Sequence, residues 1–169
     1  MPIEDFNRLP EEKQDEIMLA ALREFAHNSY DLASTNSIVA EAGISKGLLF
    51  KFFGSKEKLF LHLAQHYLHK TTNLIRHDES ITDMFAYMLA IFQAENTVFK
   101  NNSDALLSFM VLNKMMNAPD HPVYKKARAL YYDTYVNTDM DRIMSRLDVG
   151  RLREGLTPAA VREVIELLL

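Results

Sequence analysis

The chain has 169 residues, 48% hydrophobic and 25% charged, a composition of one or two globular domains that bury a core without staples. It has no cysteine, which excludes structural disulfides and thiolate metal sites, and its net charge of -4 argues against a nonspecific nucleic-acid coat. Residues 1–6 lack the basic and apolar regions of a signal peptide, and no apolar run reaches the roughly 18 residues of a membrane span. The sequence therefore predicts a cytoplasmic protein with no membrane partner.

Five glycines and five prolines point to helices with short breaks. The first predicted helix follows Pro10 and covers about 11–26, with Ile17, Met18, Ala21, Leu22 and Phe25 on one buried stripe. Glu11 and Glu12 fall in its first turn, where the helix dipole favours acids. Residues 28–31 break it. A second helix starts at Ser34 or Thr35, either of which can cap it, buries Ile38, Val39 and Ala42, and stops at Gly43. Ser45 caps a very short third helix that ends before Gly54. Ser55 caps a fourth, with Leu59, Phe60, Leu63 and Tyr67 buried. A polar stretch at 76–80 follows. Further helices are predicted over about 81–96, 102–117, 121–147 and 158–169, with breaks at 117–122 and 148–150. Because the chain closes on Leu167-Leu168-Leu169, the last helix is expected to continue and the C-terminus to be truncated.

Residues 43–58 carry four lysines against one glutamate in an otherwise acidic chain. Two short helices joined by a tight turn containing Gly43 are the sequence form of a helix-turn-helix. Ser45, Lys46 and Gly47 open the second of them: a polar side chain, a long cationic donor and a glycine that lets backbone approach DNA closely. Lys51 lies further along the same helix. Ser55 and Lys56 open the next one, whose N-terminal amides suit a phosphate. Leu49 and Phe53 read as core, and Lys58 and Lys70 as solvated surface charge.

The run from Ser34 to Leu59, with Ile38, Val39, Ala42, Gly43, Ile44, Ser45, Lys46, Gly47, Phe50, Phe53, Ser55, Lys56 and Glu57 in register, resembles the DNA-binding domain of the tetracycline-repressor (TetR) family. The resemblance covers about residues 11–67. It implies an all-α protein: an N-terminal three-helix helix-turn-helix head (1–55), joined by a fourth helix to a helical bundle for effector binding and dimerisation (56–169). It also implies a homodimer on a pseudo-palindromic double-stranded DNA operator, released as a repressor by a small-molecule effector. By the match, Ser34, Thr35 and Asn36 start the helix that touches the backbone. Ser45, Lys46, Gly47 and Leu48 open the recognition helix, Phe50 and Lys51 lie on its outward side, and Lys56 meets a phosphate. Leu48, often threonine in the family, suits a thymine methyl. The chain departs from the pattern at two positions. Phe50 replaces a tyrosine whose hydroxyl reaches a phosphate, and Phe52 stands where histidine or tyrosine is common, so a polar contact is expected to be missing at each.

Beyond the head no motif names a ligand. Met88, Phe92, Phe109, Met110, Tyr124, Arg128, Tyr131 and Tyr135 are candidate pocket residues, since a methionine-aromatic lining adapts to apolar ligands. Tyr124, Arg128, Tyr131 and Tyr135 share a helical face, and their polar groups need partners: an anionic effector, Asp133 or Asp141. Val161, Ile165 and Leu168 are the candidate dimer stripe. His62, His66 and His69 line one face of the fourth helix. With no cysteine or patterned carboxylate beside them they read as a polar face near the domain junction, and no metal or other cofactor is assigned. No nucleophile, phosphate-cradling loop or paired carboxylate marks an enzyme. An alternative remains: a helical small-molecule or partner-binding protein with a degenerate head, since the first 70 residues hold 8 Lys+Arg against 10 Asp+Glu.

Overall fold

The computed structural model describes residues 2–76, 78, 80–132, 145 and 148. The expected helix over 158–169 with its dimer stripe, most of the predicted 121–147 helix past 132, Asp133, Asp141 and Tyr135 lie outside the described residues. Within them the chain is all-α. The helices are α1 (Pro2–Asn7), α2 (Glu11–His27), α3 (Thr35–Glu41), α4 (Lys46–Phe53), α5 (Lys56–Leu74), α6 (Met84–Asn101), α7 (Ser103–Asn117) and α8 (Pro122–Tyr131). No described helix is long and apolar enough to cross a membrane.

The head follows the predicted signals. Ile17, Met18, Ala21, Leu22 and Phe25 are all buried on α2. Ser34, Ser45 and Ser55 cap α3, α4 and α5, their hydroxyl oxygens accepting from the backbone N–H groups of Ser37, Leu48 and Lys58 at 3.4, 3.1 and 3.1 Å. Gly43 takes φ +62°, a left-handed conformation that only glycine adopts without strain, and this turns the chain between α3 and α4.

Helix α1 has no counterpart among the helices that the sequence predicts. It is short, but Ile3, Phe6 and Leu9 recur at three-residue intervals and Glu4 and Asp5 sit in its first turn. Phe6 is 2% exposed. The other revision is at α6, which begins at Met84 instead of near 81 and runs past 96 to Asn101. Asp83 caps it by accepting from the Ala86 N–H at 2.9 Å.

One contiguous cluster of buried side chains runs from Phe6 through the head helices to Val111, Met115, Val123, Tyr124 and Ala127. Helices α2 and α5 both pack on α7, and α5 also packs on α8. The head is thereby seated directly on the body.

Candidate nucleic-acid interface

The turn that presents α4 is held from behind. Lys13 on α2 donates to the Ala42 carbonyl at 2.8 Å, satisfying the end of α3. Arg23 pairs with Glu41 at 2.7 Å, tying α2 to α3. Glu24 accepts from the Ser34 N–H at 2.7 Å and from the Asn28 amide at 3.1 Å, which fixes the entry to α3. The sequence-based reading names neither Glu24 nor Lys13. Both lie on a helix whose acids and lysines look like ordinary surface charge, and only the folded chain brings them to the turn.

On this scaffold Ser45, Lys46 and Gly47 are exposed together at the first turn of α4. A Cβ at Gly47 would meet nothing of the protein nearer than the Ser45 hydroxyl at 4.0 Å, so internal packing does not account for the glycine. Ser34 is half-buried and Asn36 exposed at the start of α3. Leu48 and Phe50 are half-buried, whereas Thr35 is buried and sits behind the surface that its neighbours share. Lys51 is exposed but engaged, its ammonium 3.3 Å from the Asp5 carboxylate. Lys56 lies 4.7 Å over the Tyr30 ring and donates to the Asp31 carbonyl at 3.3 Å, so it is tethered to the loop between α2 and α3.

Phe52 requires a correction. It is not a surface position lacking a polar contact: it is 3% exposed, with its ring edge-on to Phe6 at 5.8 Å and to Phe53 at 6.4 Å. An apolar residue is required there because α1 covers it. Leu49 and Phe53 are core, as the sequence indicates.

The body residues do not assemble into one lining. Phe92 is 63% exposed and Phe109 is at the surface, stacked at a tilt on Phe99 at 4.9 Å. Met88 and Tyr131 are half-buried, and Met110 is packed against the core. Tyr124 is buried, and its hydroxyl accepts from the Tyr30 N–H at 2.8 Å. Arg128 donates to the carbonyls of Met115, at 2.8 Å, and Pro119. The polar groups of Tyr124 and Arg128 are thus satisfied by backbone, and neither an anionic effector nor an aspartate is needed to explain them.

The three histidines of α5 line an open groove of about 560 Å³ with Gln65, Lys70, Asn73 and Leu74. His62 packs against Phe6 and Phe53 at ring separations of 6.0 and 5.7 Å. Burial, reinforced by the charge of His66, pulls the His62 pKa below the ordinary histidine value. No group of three metal-ligating side chains occurs among the described residues.

Comparison with known proteins agrees with this geometry. The family profile described as "Bacterial regulatory proteins, tetR family" matches residues 17–63. The transcriptional activator FasR of Mycolicibacterium smegmatis is 32% identical over 71 residues, 41% of this chain and 32% of FasR. The transcriptional repressor AcnR of Corynebacterium glutamicum is 25% identical over 177 residues, covering 94% of this chain and 92% of AcnR. This chain spans about a third of FasR's length, and less of two regulators from Bacillus subtilis. In fold it is similar to a TetR family transcriptional regulator from Chloroflexus aurantiacus, with TM-score 0.54 at 23% identity over 98% of this chain and 87% of that one. The head of this chain, over residues 17–63, thus matches the tetR family of bacterial regulatory proteins, and the fold of the chain is similar to that of a TetR family regulator.

Proposed function

We propose that this protein is a DNA-binding transcriptional regulator that works in the cytoplasm as a homodimer, most simply as a repressor released from a pseudo-palindromic operator by a small molecule. The observation that carries this reading is the exposed Ser45-Lys46-Gly47 turn that opens α4, joined through the left-handed Gly43 and the Lys13-held Ala42 to α3, at whose start Asn36 is exposed and Ser34 half-buried. In this reading the first turn of α4 enters the major groove. Ser34 and Asn36 contact one phosphate strand, and Lys46 supplies charge at the groove edge. Leu48 and Phe50 give apolar contact, with Thr35 as packing behind them, and Lys56 exchanges its Asp31 carbonyl for a phosphate. Repression is favoured by the name of AcnR, a relative that aligns along most of both chains.

Two heads in a dimer reach successive major grooves about one helical turn apart, roughly 34–36 Å. An effector acts only through unequal affinity for the two head spacings. The direct head–body packing of α2 and α5 on α7 gives it a rigid path to the head. Met88, Phe92, Phe109, Met110, Tyr131 and Tyr135 stay the candidate effector contacts.

A gel shift of DNA from upstream of the protein's own coding sequence tests this reading. Retardation that weakens as salt rises is expected, with Lys56→Ala weakening binding on every sequence. No retardation at low salt by the full chain would end the DNA reading and leave a partner-binding protein in its place.

A further inference from the structure

The recognition helix is covered by a helix that the head motif does not include. Phe6 reaches from α1 into a cleft where its ring lies 5.8 Å from Phe52 and 5.0 Å from Phe53, both on α4. Its sequence neighbour Asp5 places its carboxylate 3.3 Å from the ammonium of Lys51, on the exposed side of α4. The segment is anchored behind as well. Gln14 on α2 donates to the carbonyls of Leu9 at 2.8 Å and Asn7 at 3.3 Å. The contact is specific in both its apolar and its charged halves, and it falls on the one helix that has to leave its surroundings clear for DNA.

We propose that α1 sets the DNA affinity of this head: Phe6 fixes the pose of α4 through Phe52 and Phe53, and Asp5 holds Lys51 in competition with a DNA phosphate. The inference rests on the DNA-binding reading above. It assigns Asp5 and Phe6 as positioning residues and Lys51 as a contact engaged only when Asp5 gives it up. A carboxylate paired with a cation beside a polyanion weakens binding in two ways. It neutralises one cation, and it must be displaced when the phosphate arrives. The exposed pair contributes little to the fold, so its removal alters binding without unfolding the head. It also gives Phe52 a reason to be phenylalanine, since the ring is the seat for Phe6.

The test measures binding of the full chain to a mixed-sequence DNA duplex of about 30 base pairs, long enough for two successive grooves. Wild type, Asp5→Asn, Lys51→Ala and the double variant are compared across a salt series. Asp5→Asn is expected to tighten binding ~3- to 10-fold and to steepen the salt slope by about 0.9, one added phosphate contact. In the Lys51→Ala background the same substitution is expected to change neither. Equal tightening in both backgrounds would overturn the proposal, because Asp5 would then act as a plain like charge. So would an Asp5→Asn variant that binds as wild type does. Failure of wild type itself to bind with salt dependence would instead remove the DNA reading, and the proposal with it. Phe6→Ala and Phe6→Leu form the second pair. Leucine is expected to restore the DNA affinity that alanine loses, at protein concentrations where both variants are folded by circular dichroism. A folded Phe6→Ala with wild-type affinity would remove Phe6 from the proposal.

Discussion

Lys114, on α7, lays its ammonium 2.9 Å from the carbonyl of Asn28, the residue that closes α2. The same nitrogen donates to the carbonyls of Phe25, at 3.1 Å, and Ala26. A helix ends with carbonyls that have no partner within it, and a cation there meets both their lone pairs and the negative end of the dipole. A body residue therefore finishes a head helix. Close by, Tyr124 accepts from Tyr30, and His121 lies 3.4 Å from Asp31. The loop between α2 and α3 is gripped from α7 and α8, which ties the entry to α3 to the body.

Replacing Lys114 by methionine keeps the stem and removes the donor. Hydrogen bonds to a charged group contribute about 1.5–3 kcal/mol, and the loss of three acceptor contacts at a half-buried site places the cost in that range. Urea unfolding should show a lower midpoint with an unchanged slope. A midpoint equal to wild type would show that water replaces the ammonium at no cost.

Phe50→Tyr restores the hydroxyl that the family pattern carries. Phe50 is half-buried at the edge of the proposed contact surface, so the added group has access to solvent or phosphate. One hydrogen bond to a charged partner is worth about 1.5 kcal/mol, near tenfold in affinity. Tighter binding in fluorescence anisotropy, with unchanged thermal stability, is the expected outcome.

Phe52→Ala opens a hole beneath α1. Large-to-small changes at a buried phenylalanine cost about 3–5 kcal/mol. Phe52→His is expected to destabilise the head too, since it places an imidazole among Phe6 and Phe53 in a site that offers it apolar rings. Thermal melts of the two variants check both statements.

Acid should weaken the fold through His62. Burial lowers its folded pKa below the ordinary histidine value of 6.5, so between the two values the unfolded chain holds more of the proton. Stability then rises with pH across that window and is lost as pH falls from 6.5 through the folded value. His62→Gln should flatten this slope in urea titrations at about pH 5 and about pH 7.5. An unchanged slope would assign the acid sensitivity elsewhere.

The head was legible in the sequence because its determinants are local. Serine caps, a glycine turn and an apolar stripe on α2 each act within a few residues, and each is found where the pattern puts it. Helix α1 was marked by the same signals, Ile3, Phe6 and Leu9 after an early proline with two acids, but it spans six residues, too few for periodicity to stand out. Phe52 is unreadable without α1, because its burial depends on a helix from the other end of the head. Lys114 and Tyr124 act on residues far away in the chain, and no local spacing announces such partners. The candidate effector residues share a composition, yet composition does not decide which side chains face one space. Phe92 and Tyr124 differ in burial by more than half of their surface.

The central claim is that Lys46, at the open turn of α4, carries charge to DNA. The most direct measurement is the salt dependence of binding of wild type and Lys46→Ala to one duplex. The account predicts a steep negative slope for wild type, and for the variant weaker binding with the slope reduced by about 0.9. Lys46→Ala with wild-type affinity and slope would contradict it.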